Sequence, residues 1–297
     1  MRPLTTTTFL EEEPMALPIF APMSQRTPPK KPLDHFMPMY PPKDDTSNIY
    51  EFSPEELVDK ALKTLQNAGI ELIEWSSLLH RRMNVPVIIK NFSYLVPDDK
   101  LDAASKLLAD GEGLPRSQPP PLLIRTGGDF YKKARMYRVT RYTSLALAQH
   151  LILYPASFAS YAHSDLSPAP RMTSLTEPLC HTVLVPSRPA VYASILRTMK
   201  LYPRFDPVRI TLQSDLSQLI DYDLYGLDCG YVDIDDDELC EELEVDRRVE
   251  DAMCLVEEWR RADALRDQEG WVGDALFKVV SGLWSVEDLP WSRPRGS

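Results

Sequence analysis

The amino-acid sequence predicts an α/β (α+β) fold, in which a mixed sheet is flanked by helices and followed by a helical C-terminal part. Apolar residues recur at helical spacing after two capping residues, Ser53 and Asp98. Runs rich in β-branched residues, 85–96 and 181–185 among them, alternate with these helices. From about residue 203 onward the spacing is helical. Helices that alternate with strands in this way indicate a sheet covered by helices.

Proline content and apolar periodicity divide the chain into three parts. Of the 297 residues 43% are hydrophobic, which is enough for a sizeable core. Ten of the 27 prolines fall within residues 1–42, where there is little apolar periodicity. Such a segment lacks backbone donors and cannot offset its chain entropy. We therefore predict a disordered proline-rich arm over 1–48, an α/β domain over 49–203 and a helical region over 204–297.

Residues 53–110 are the best-specified segment. Ser53 and Glu56 form a capping-box pattern, and Gly69 is placed to end the helix that follows. The next elements are predicted as strand, helix, strand and helix, in that order: 70–75, 76–83, 85–96 and 98–110. The whole segment therefore has the order helix–strand–helix–strand–helix, which is typical of an α/β sandwich.

The rest of the chain continues with short strands and then helices. Strands are predicted at three places: 122–125, 136–142 and 150–153. Gly127-Gly128 is predicted as a turn between the first two of them. Residues 154–178, with four prolines, are predicted as an exposed excursion. After the strand at 181–185, helices are predicted at four places: 187–200, 207–222, 237–265 and 271–284.

Small residues follow the first strand, and polar residues alternate along the second. Trp75-Ser76-Ser77 follows the strand at 70–75, and Asn91 and Ser93 lie two apart. In this order residues 53–200 resemble the polymerase-β-like nucleotidyltransferases, which place Gly-Gly or Gly-Ser after the first strand and alternating carboxylates on the second. The chain is also similar to a group of fungal proteins of uncharacterised activity. The resemblance implies a nucleotidyltransferase-like mixed sheet with its nucleotide-facing turn at Ser76 and Ser77.

Asn91 and Ser93 stand where the family has metal-binding carboxylates. Neither side chain supplies the negative charge that holds Mg²⁺ through hard oxygen ligands. The resemblance therefore implies a degenerate site and a non-catalytic pseudoenzyme, without a cofactor, that acts in binding or interaction. The alternative is a divergent, active nucleotidyltransferase that uses Mg²⁺ held by other carboxylates: Asp98, Asp99 or Asp129. For Asp98 and Asp99, helix capping after Pro97 is the competing interpretation.

A basic and aromatic stretch suggests a third function, association with nucleic acid or a nucleotide. Its six cationic residues are interleaved with Phe and Tyr: Arg125, Lys132, Lys133, Arg135, Arg138 and Arg141. Cations and stacking rings together are typical of single-strand binding. The same alternation also arises in strands whose cations face outward and whose rings face inward. The net charge of −11 opposes nucleic acid unless a local patch prevails.

An acidic segment carries the skeleton of a calcium loop. Asp233, Asp235, Asp237 and Glu244 stand at its first, third, fifth and twelfth positions. The sixth position is Glu238, where the loop needs glycine, so the competing interpretation is an acidic helix start.

The cysteine spacing and the hydropathy of the sequence indicate where in the cell the protein is located and which kinds of partner to expect. The four cysteines have no CxxC spacing, which favours a reducing, intracellular compartment, cytoplasmic or nuclear. The sequence contains no run of 18 apolar residues, so no membrane span is predicted. We expect a protein partner or a nucleotide, with nucleic acid less favoured and no membrane.

Overall fold

Seven strands form one mixed sheet in the computed structural model. They are β1 (Ile73–Glu74), β2 (Phe92–Val96), β3 (Arg116–Ser117), β4 (Arg135–Arg138), β5 (His150–Pro155), β6 (Leu166–Pro170) and β7 (Thr182–Pro186). Their order across the sheet is β3-β4-β5-β2-β1-β7-β6. The pairs β1–β7 and β2–β5 are parallel, and the other neighbouring pairs are antiparallel. The predicted mixed sheet is therefore confirmed.

The structure describes residues 48–144, 146–228, 230, 232, 236–266 and 270–291. All of them belong to one compact unit, Pro42–Ser297. The arm predicted over 1–48 lies outside the described residues, except for Asn48. Within the described ranges, no helix combines the length and the apolar character that a bilayer crossing requires.

Ten α-helices are described around the sheet. They are α1 (Pro54–Asn67), α2 (Ser77–Arg82), α3 (Leu101–Lys106), α4 (Pro121–Gly127), α5 (Asp129–Lys133), α6 (Arg188–Leu201), α7 (Pro207–Leu219), α8 (Asp237–Glu242), α9 (Val245–Arg261) and α10 (Val272–Val280). The last five follow the last described strand, and four of these lie after residue 203, so the predicted helical C-terminal part is confirmed. The predicted capping box also forms, because Ser53 N–H donates to Glu56 and Glu56 N–H donates to the Ser53 hydroxyl.

The strand predicted at 122–125 is wrong, because this segment lies in α4. Pro121 occupies the first turn of the helix, where a missing N–H costs nothing. The Gly127-Gly128 turn consequently joins α4 to α5 and does not join two strands. Gly128 has φ +53°, a backbone conformation that favours glycine.

The exposed excursion predicted at 154–178 is also wrong in large part. Tyr154 belongs to β5, and Phe158 is buried in the core. Residues 166–170 form β6 at the edge of the sheet, paired only with β7. An edge strand accommodates Pro168 and Pro170, because it pairs with a neighbouring strand on one side only. A proline whose missing N–H would point to the unpaired side removes no hydrogen bond of the sheet.

Several elements are shorter than predicted or divided. The strand predicted at 70–75 contains only β1, and that at 85–96 contains only β2. The helix predicted at 98–110 begins with a 3₁₀ turn and ends in a π-helical turn around α3. The helix predicted at 237–265 is divided at Glu244, whose φ of +50° interrupts the helical path between α8 and α9.

A buried arginine links the two sides of the domain boundary predicted at 203/204. Arg209, on α7, is fully buried and donates to the Met199 carbonyl at the end of α6 at 2.8 Å. It also donates to the Leu289 and Pro290 carbonyls at 2.7 and 2.9 Å. The division into two domains at this boundary stays a prediction.

A buried ion pair fastens the segment after β6 to α1. Arg171 donates to Asp59 over 2.7 Å, and both side chains are buried. The same carboxylate accepts the Leu179 and Cys180 N–H groups. One turn earlier on α1, Glu55 accepts bonds from Thr173 and Ser174. Residues 171–180 are therefore held by two carboxylates of α1, and Met172 N–H also donates to Glu74 of β1 at 3.3 Å.

Replacing Asp59 with Asn should destabilise the fold strongly. The substitution leaves the Arg171 charge buried without its counter-ion, which costs about 3–5 kcal/mol. Urea denaturation followed by circular dichroism measures the change in free energy of unfolding.

Asp102→Asn is the matched control. It breaks the pair with Arg135, but the Asp102 side chain is 90% exposed, so we expect a loss below about 1 kcal/mol. Equal losses in the two variants would contradict the role assigned to Asp59.

Candidate functional site

The turn between β1 and α2 has an unusual backbone. Ser76 has φ +56° and ψ −134°, a conformation that side-chain-bearing residues rarely adopt. Its hydroxyl makes no capping bond, while its carbonyl accepts the His80 N–H at 2.9 Å. Maintaining such a residue costs on the order of 1–3 kcal/mol. The predicted nucleotide-facing turn is therefore a strained turn, in which Ser76 occupies a glycine-type position.

A buried ion pair holds this turn against the sheet. Glu74 on β1 is fully buried, and Arg82 at the end of α2 donates to both of its carboxylate oxygens, at 2.7 and 2.8 Å. Arg82 also donates to the Pro170 carbonyl of β6 at 2.8 Å. Because both ends of the β1–α2 unit are tied together, the backbone at Ser76 has little freedom to relax.

A cavity of about 280 Å³ opens beside Ser76. Alternate residues of a strand share a face, so the register places Ser93, Tyr154 and Trp75 on the same face of the sheet. Side chains from α2, α4, α6 and α7 close the cavity over this face. Its size lies at the lower end of the range for small-molecule sites.

Four aromatic rings form one wall of the cavity. Trp75 packs edge-on against Phe130 and Tyr154, with centroids 5.1 and 4.6 Å apart, and Phe130 packs edge-on against Phe158 at 5.3 Å. Edge-to-face packing at these distances holds the rings rigidly and leaves ring surface toward the cavity.

A histidine and a carboxyl group lie at the polar side of the cavity. His80 Nδ1 and Asp215 Oδ1 are 3.9 Å apart, which is too long for a hydrogen bond. Burial lowers the pKa of His80 to about 4 and raises the pKa of Asp215 to about 7. His80 is therefore neutral at physiological pH, whereas Asp215 changes its charge there. The Asp215 side chain keeps 28% of its surface accessible, which leaves room for a partner.

Three threonine hydroxyls around the cavity already have acceptors for their hydrogens. Thr126, Thr198 and Thr211 each donate to a backbone carbonyl at 3.0 Å. A hydroxyl oxygen that donates once still has lone pairs to offer. These three groups therefore remain able to accept hydrogen bonds from a ligand.

The four predicted degenerate positions have different environments. Ser76 lines the cavity, and Ser77 begins α2. Ser93 is buried on β2, where its hydroxyl bonds the Tyr154 side chain. Asn91 precedes β2, and its side-chain oxygen accepts the His150 N–H at 3.0 Å. The structure thus brings Ser76 and Ser93 to the cavity region and uses Asn91 to join β2 to β5.

The alternative carboxylates each have separate partners. Asp98 accepts the Ser157 N–H at 2.9 Å and makes no helix cap, so the capping predicted for Asp98 is wrong. Asp99 is exposed beside Lys100. Asp129 lies near Lys132 and Lys133, at 3.7 and 3.4 Å. Over the described ranges, no group of three or more His, Cys, Asp or Glu side chains is arranged to hold a metal ion. The residues at the degenerate positions do not fit Mg²⁺, because none of them offers an anionic oxygen.

The basic residues of the 125–141 stretch largely have partners within the chain. Lys132 and Lys133 pair with Asp129, and Arg135 pairs with Asp102. Arg138 donates to the Tyr50 hydroxyl at 3.0 Å. Two further residues of the set are exposed: Arg125 and Arg141.

The rings of this stretch mostly face inward. Phe130 and Tyr137 are buried, whereas Tyr142 is exposed. Cations outside and rings inside match the strand alternation that the sequence offered as the competing interpretation. Nucleic-acid association stays a prediction.

The calcium-loop hypothesis falls partly on Asp233 and Asp235, which lie outside the described residues. Of the other two positions, Asp237 begins α8, and Glu244 lies beside Arg247 at 3.4 Å. Asp236 caps α8 by accepting the Leu239 N–H at 3.1 Å.

Sequence analysis missed Asp215, the carboxyl group of the cavity. A signal was present, because Leu212, Leu216 and Leu219 form the buried stripe of α7 and Asp215 lies one turn after Leu212. A carboxyl group beside the apolar stripe of a helix is a candidate functional group.

Comparison with protein-family models gave no match for this chain, and comparison with curated proteins gave none either. Functional inference consequently rests on the geometry of the fold and of the cavity.

Replacing Ser76 with Gly should stabilise the protein. Glycine removes the steric cost of the positive φ but adds chain entropy to the unfolded state, so we expect a net gain of about 1 kcal/mol in the free energy of unfolding. Ser77→Gly is the control and should cost up to about 1 kcal/mol, because Ser77 is helical. Chemical denaturation of both variants tests this, and a loss of stability in Ser76→Gly would contradict it.

Asp215 should make the protein less stable as the pH rises. Its raised pKa means that the folded chain holds the proton more tightly than the unfolded chain, so stability is lost between about pH 4 and about pH 7. The free energy of unfolding of Asp215→Asn, relative to that of wild type, should therefore be about 2–4 kcal/mol higher at about pH 8 than at about pH 5. Urea denaturation at both pH values measures the difference, and a difference that does not change with pH would contradict the raised pKa.

Proposed function

We propose that this chain is a non-catalytic ligand-binding protein with a nucleotidyltransferase-like scaffold, and that its ligand occupies the cavity beside Ser76. The observation that carries the proposal is the cavity itself. It adjoins a glycine-type turn after β1, has a rigid aromatic wall and contains a carboxyl group with a displaced pKa. Concave sites with apolar walls and a few polar groups are typical of ligand binding.

Two features support the nucleotidyltransferase-like part of the proposal. Ser76 adopts the backbone conformation that a glycine-containing turn uses, at the position where the resemblance puts that turn. The helix–strand–helix–strand–helix order over α1, β1, α2, β2 and α3 matches the order on which the resemblance rests.

Two other features support a non-catalytic role. Asn91 is engaged with the backbone of β5, and Ser93 is covered by Tyr154, so neither position presents an anionic ligand. The carboxylates of the active, Mg²⁺-dependent alternative bind separate partners. A reducing, intracellular location accords with Cys180 and Cys254, which are free thiols.

Binding of indole, a small aromatic probe, tests the proposal. Saturation-transfer NMR should detect indole on the wild-type protein and lose most of the signal in Thr211→Phe, whose ring fills the cavity. Ser214→Phe is the matched control, since Ser214 is an exposed neighbour on α7, and it should keep the signal. If Thr211→Phe does not fold, Thr126→Phe obstructs the opposite wall and serves in its place.

Absence of indole binding to the wild-type protein, or equal binding to Thr211→Phe, would contradict the ligand site. A separate assay addresses catalysis. The purified chain is incubated with Mg²⁺ and each nucleoside triphosphate, and pyrophosphate is measured. We expect no release above a protein-free control, and release at several turnovers would overturn the non-catalytic assignment.

A further inference from the structure

Among the described residues, the side chains that line the cavity supply negative charge without a matching cation. Asp215 lines the cavity, and none of the described residues that line it is lysine or arginine. The nearest described cation on the aromatic wall is Lys133, 5.5 Å from the Phe158 ring centroid, and its charge is matched by Asp129 at 3.4 Å. Such a cavity repels phosphate and carboxylate groups, because a partly buried negative charge without a neighbouring cation disfavours a second negative charge.

The Asp215 carboxyl group has a free acceptor site. Its one ionic contact among the described residues is His80 at 3.9 Å, and burial keeps that imidazole neutral. Within the described part of the chain, no group donates a hydrogen bond to the Asp215 carboxylate, and this carboxylate lies on a cavity wall. A charged donor entering the cavity would supply the partner that this carboxylate lacks.

The neighbouring groups favour the same kind of ligand. Thr198 and Thr211 donate their hydroxyl hydrogens to backbone carbonyls, so their hydroxyl oxygens are left to accept hydrogen bonds from a ligand. The rings of Trp75, Phe130 and Tyr154 present π surfaces, which attract cations. A carboxylate, hydroxyl acceptors and aromatic faces together complement a positively charged hydrogen-bond donor.

We propose that the cavity selects a small primary amine with an apolar or aromatic body, with the ammonium group at Asp215 and the body against the aromatic wall. This inference rests on the proposed ligand-binding function and names its ligand class. It excludes nucleoside triphosphates from this cavity, because their phosphates would meet a carboxylate instead of a cation.

Three probes with one carbon skeleton and different charges test the selection. They are 2-phenylethylamine, 2-phenylethanol and phenylacetate, titrated into the full chain at about pH 8 by calorimetry. A close ion pair in a partly buried site typically contributes a factor of 10 or more, so the amine should bind at least about 10-fold more tightly than the alcohol. Phenylacetate should bind more weakly than the alcohol.

Asp215→Asn assigns the selectivity to the carboxylate. In this variant the amine should lose at least about 10-fold in affinity, while 2-phenylethanol keeps its affinity. Asp102→Asn removes the same charge from an exposed site and should leave all three affinities unchanged.

A pH series on the wild-type protein keeps the inference testable even if Asp215→Asn does not fold. The titratable groups that line the cavity are Asp215, His80 and three tyrosines: Tyr131, Tyr154 and Tyr161. The tyrosine pKa values are raised by burial and that of His80 is about 4, so only Asp215 changes charge between about pH 5 and about pH 8. Amine affinity should fall at least about 10-fold toward pH 5, while the affinity of the alcohol stays constant.

The outcomes separate the two proposals. If indole and the alcohol bind but the amine has no advantage, or if Asp215→Asn leaves that advantage intact, the amine selection is wrong and the ligand cavity stands. If none of these probes and no indole binds the wild-type chain, both proposals are overturned.

Discussion

The two-residue strand β1 lies inside the sheet, between β2 and β7, and its buried Glu74 carboxylate is held by two guanidinium nitrogens of Arg82. A carboxylate at this depth is tolerated only with a close counter-charge, so the pair dictates how α2 returns over the sheet. That return forces the tight turn at Ser76 and opens the cavity beside it. The site thus depends on an ion pair that no ligand needs to touch. The same device recurs at Asp59 and Arg171, where it holds the segment between β6 and β7.

The cavity combines parts that are distant in the sequence. Its aromatic wall comes from Trp75 after β1, Phe130 on α5 and Tyr154 on β5, and its carboxyl group comes from α7. These parts meet because α6 and α7 cover the sheet, with Arg209 binding the end of α6 and the C-terminal carbonyls. The helical C-terminal part therefore completes the site that the α/β part begins. The two parts of the chain together thus form a small cavity with one acidic side chain.

Local patterns predicted local structure well, whereas tertiary contacts decided the rest. The Ser53 capping box, the helix ending near Gly69 and the order of elements up to α3 depend on neighbouring residues, so the sequence was sufficient for them. The segment at 122–125 was mistaken for a strand because the helix-starting role of Pro121 was overlooked. Of the site, the turn at Ser76 was expected only from the family resemblance. Asp215 was not predicted, because its position in the cavity depends on how α7 packs against α2.

A crystal structure of the chain with 2-phenylethylamine at about pH 8 would show whether the amine binds at Asp215. We expect density for the amine in the cavity, with its nitrogen within hydrogen-bond distance of an Asp215 carboxylate oxygen, about 2.7–2.9 Å, and its ring against Trp75 or Tyr154. Absence of the ligand from this cavity under saturating conditions, or an amine bound with its nitrogen away from Asp215, would contradict the proposed amine site.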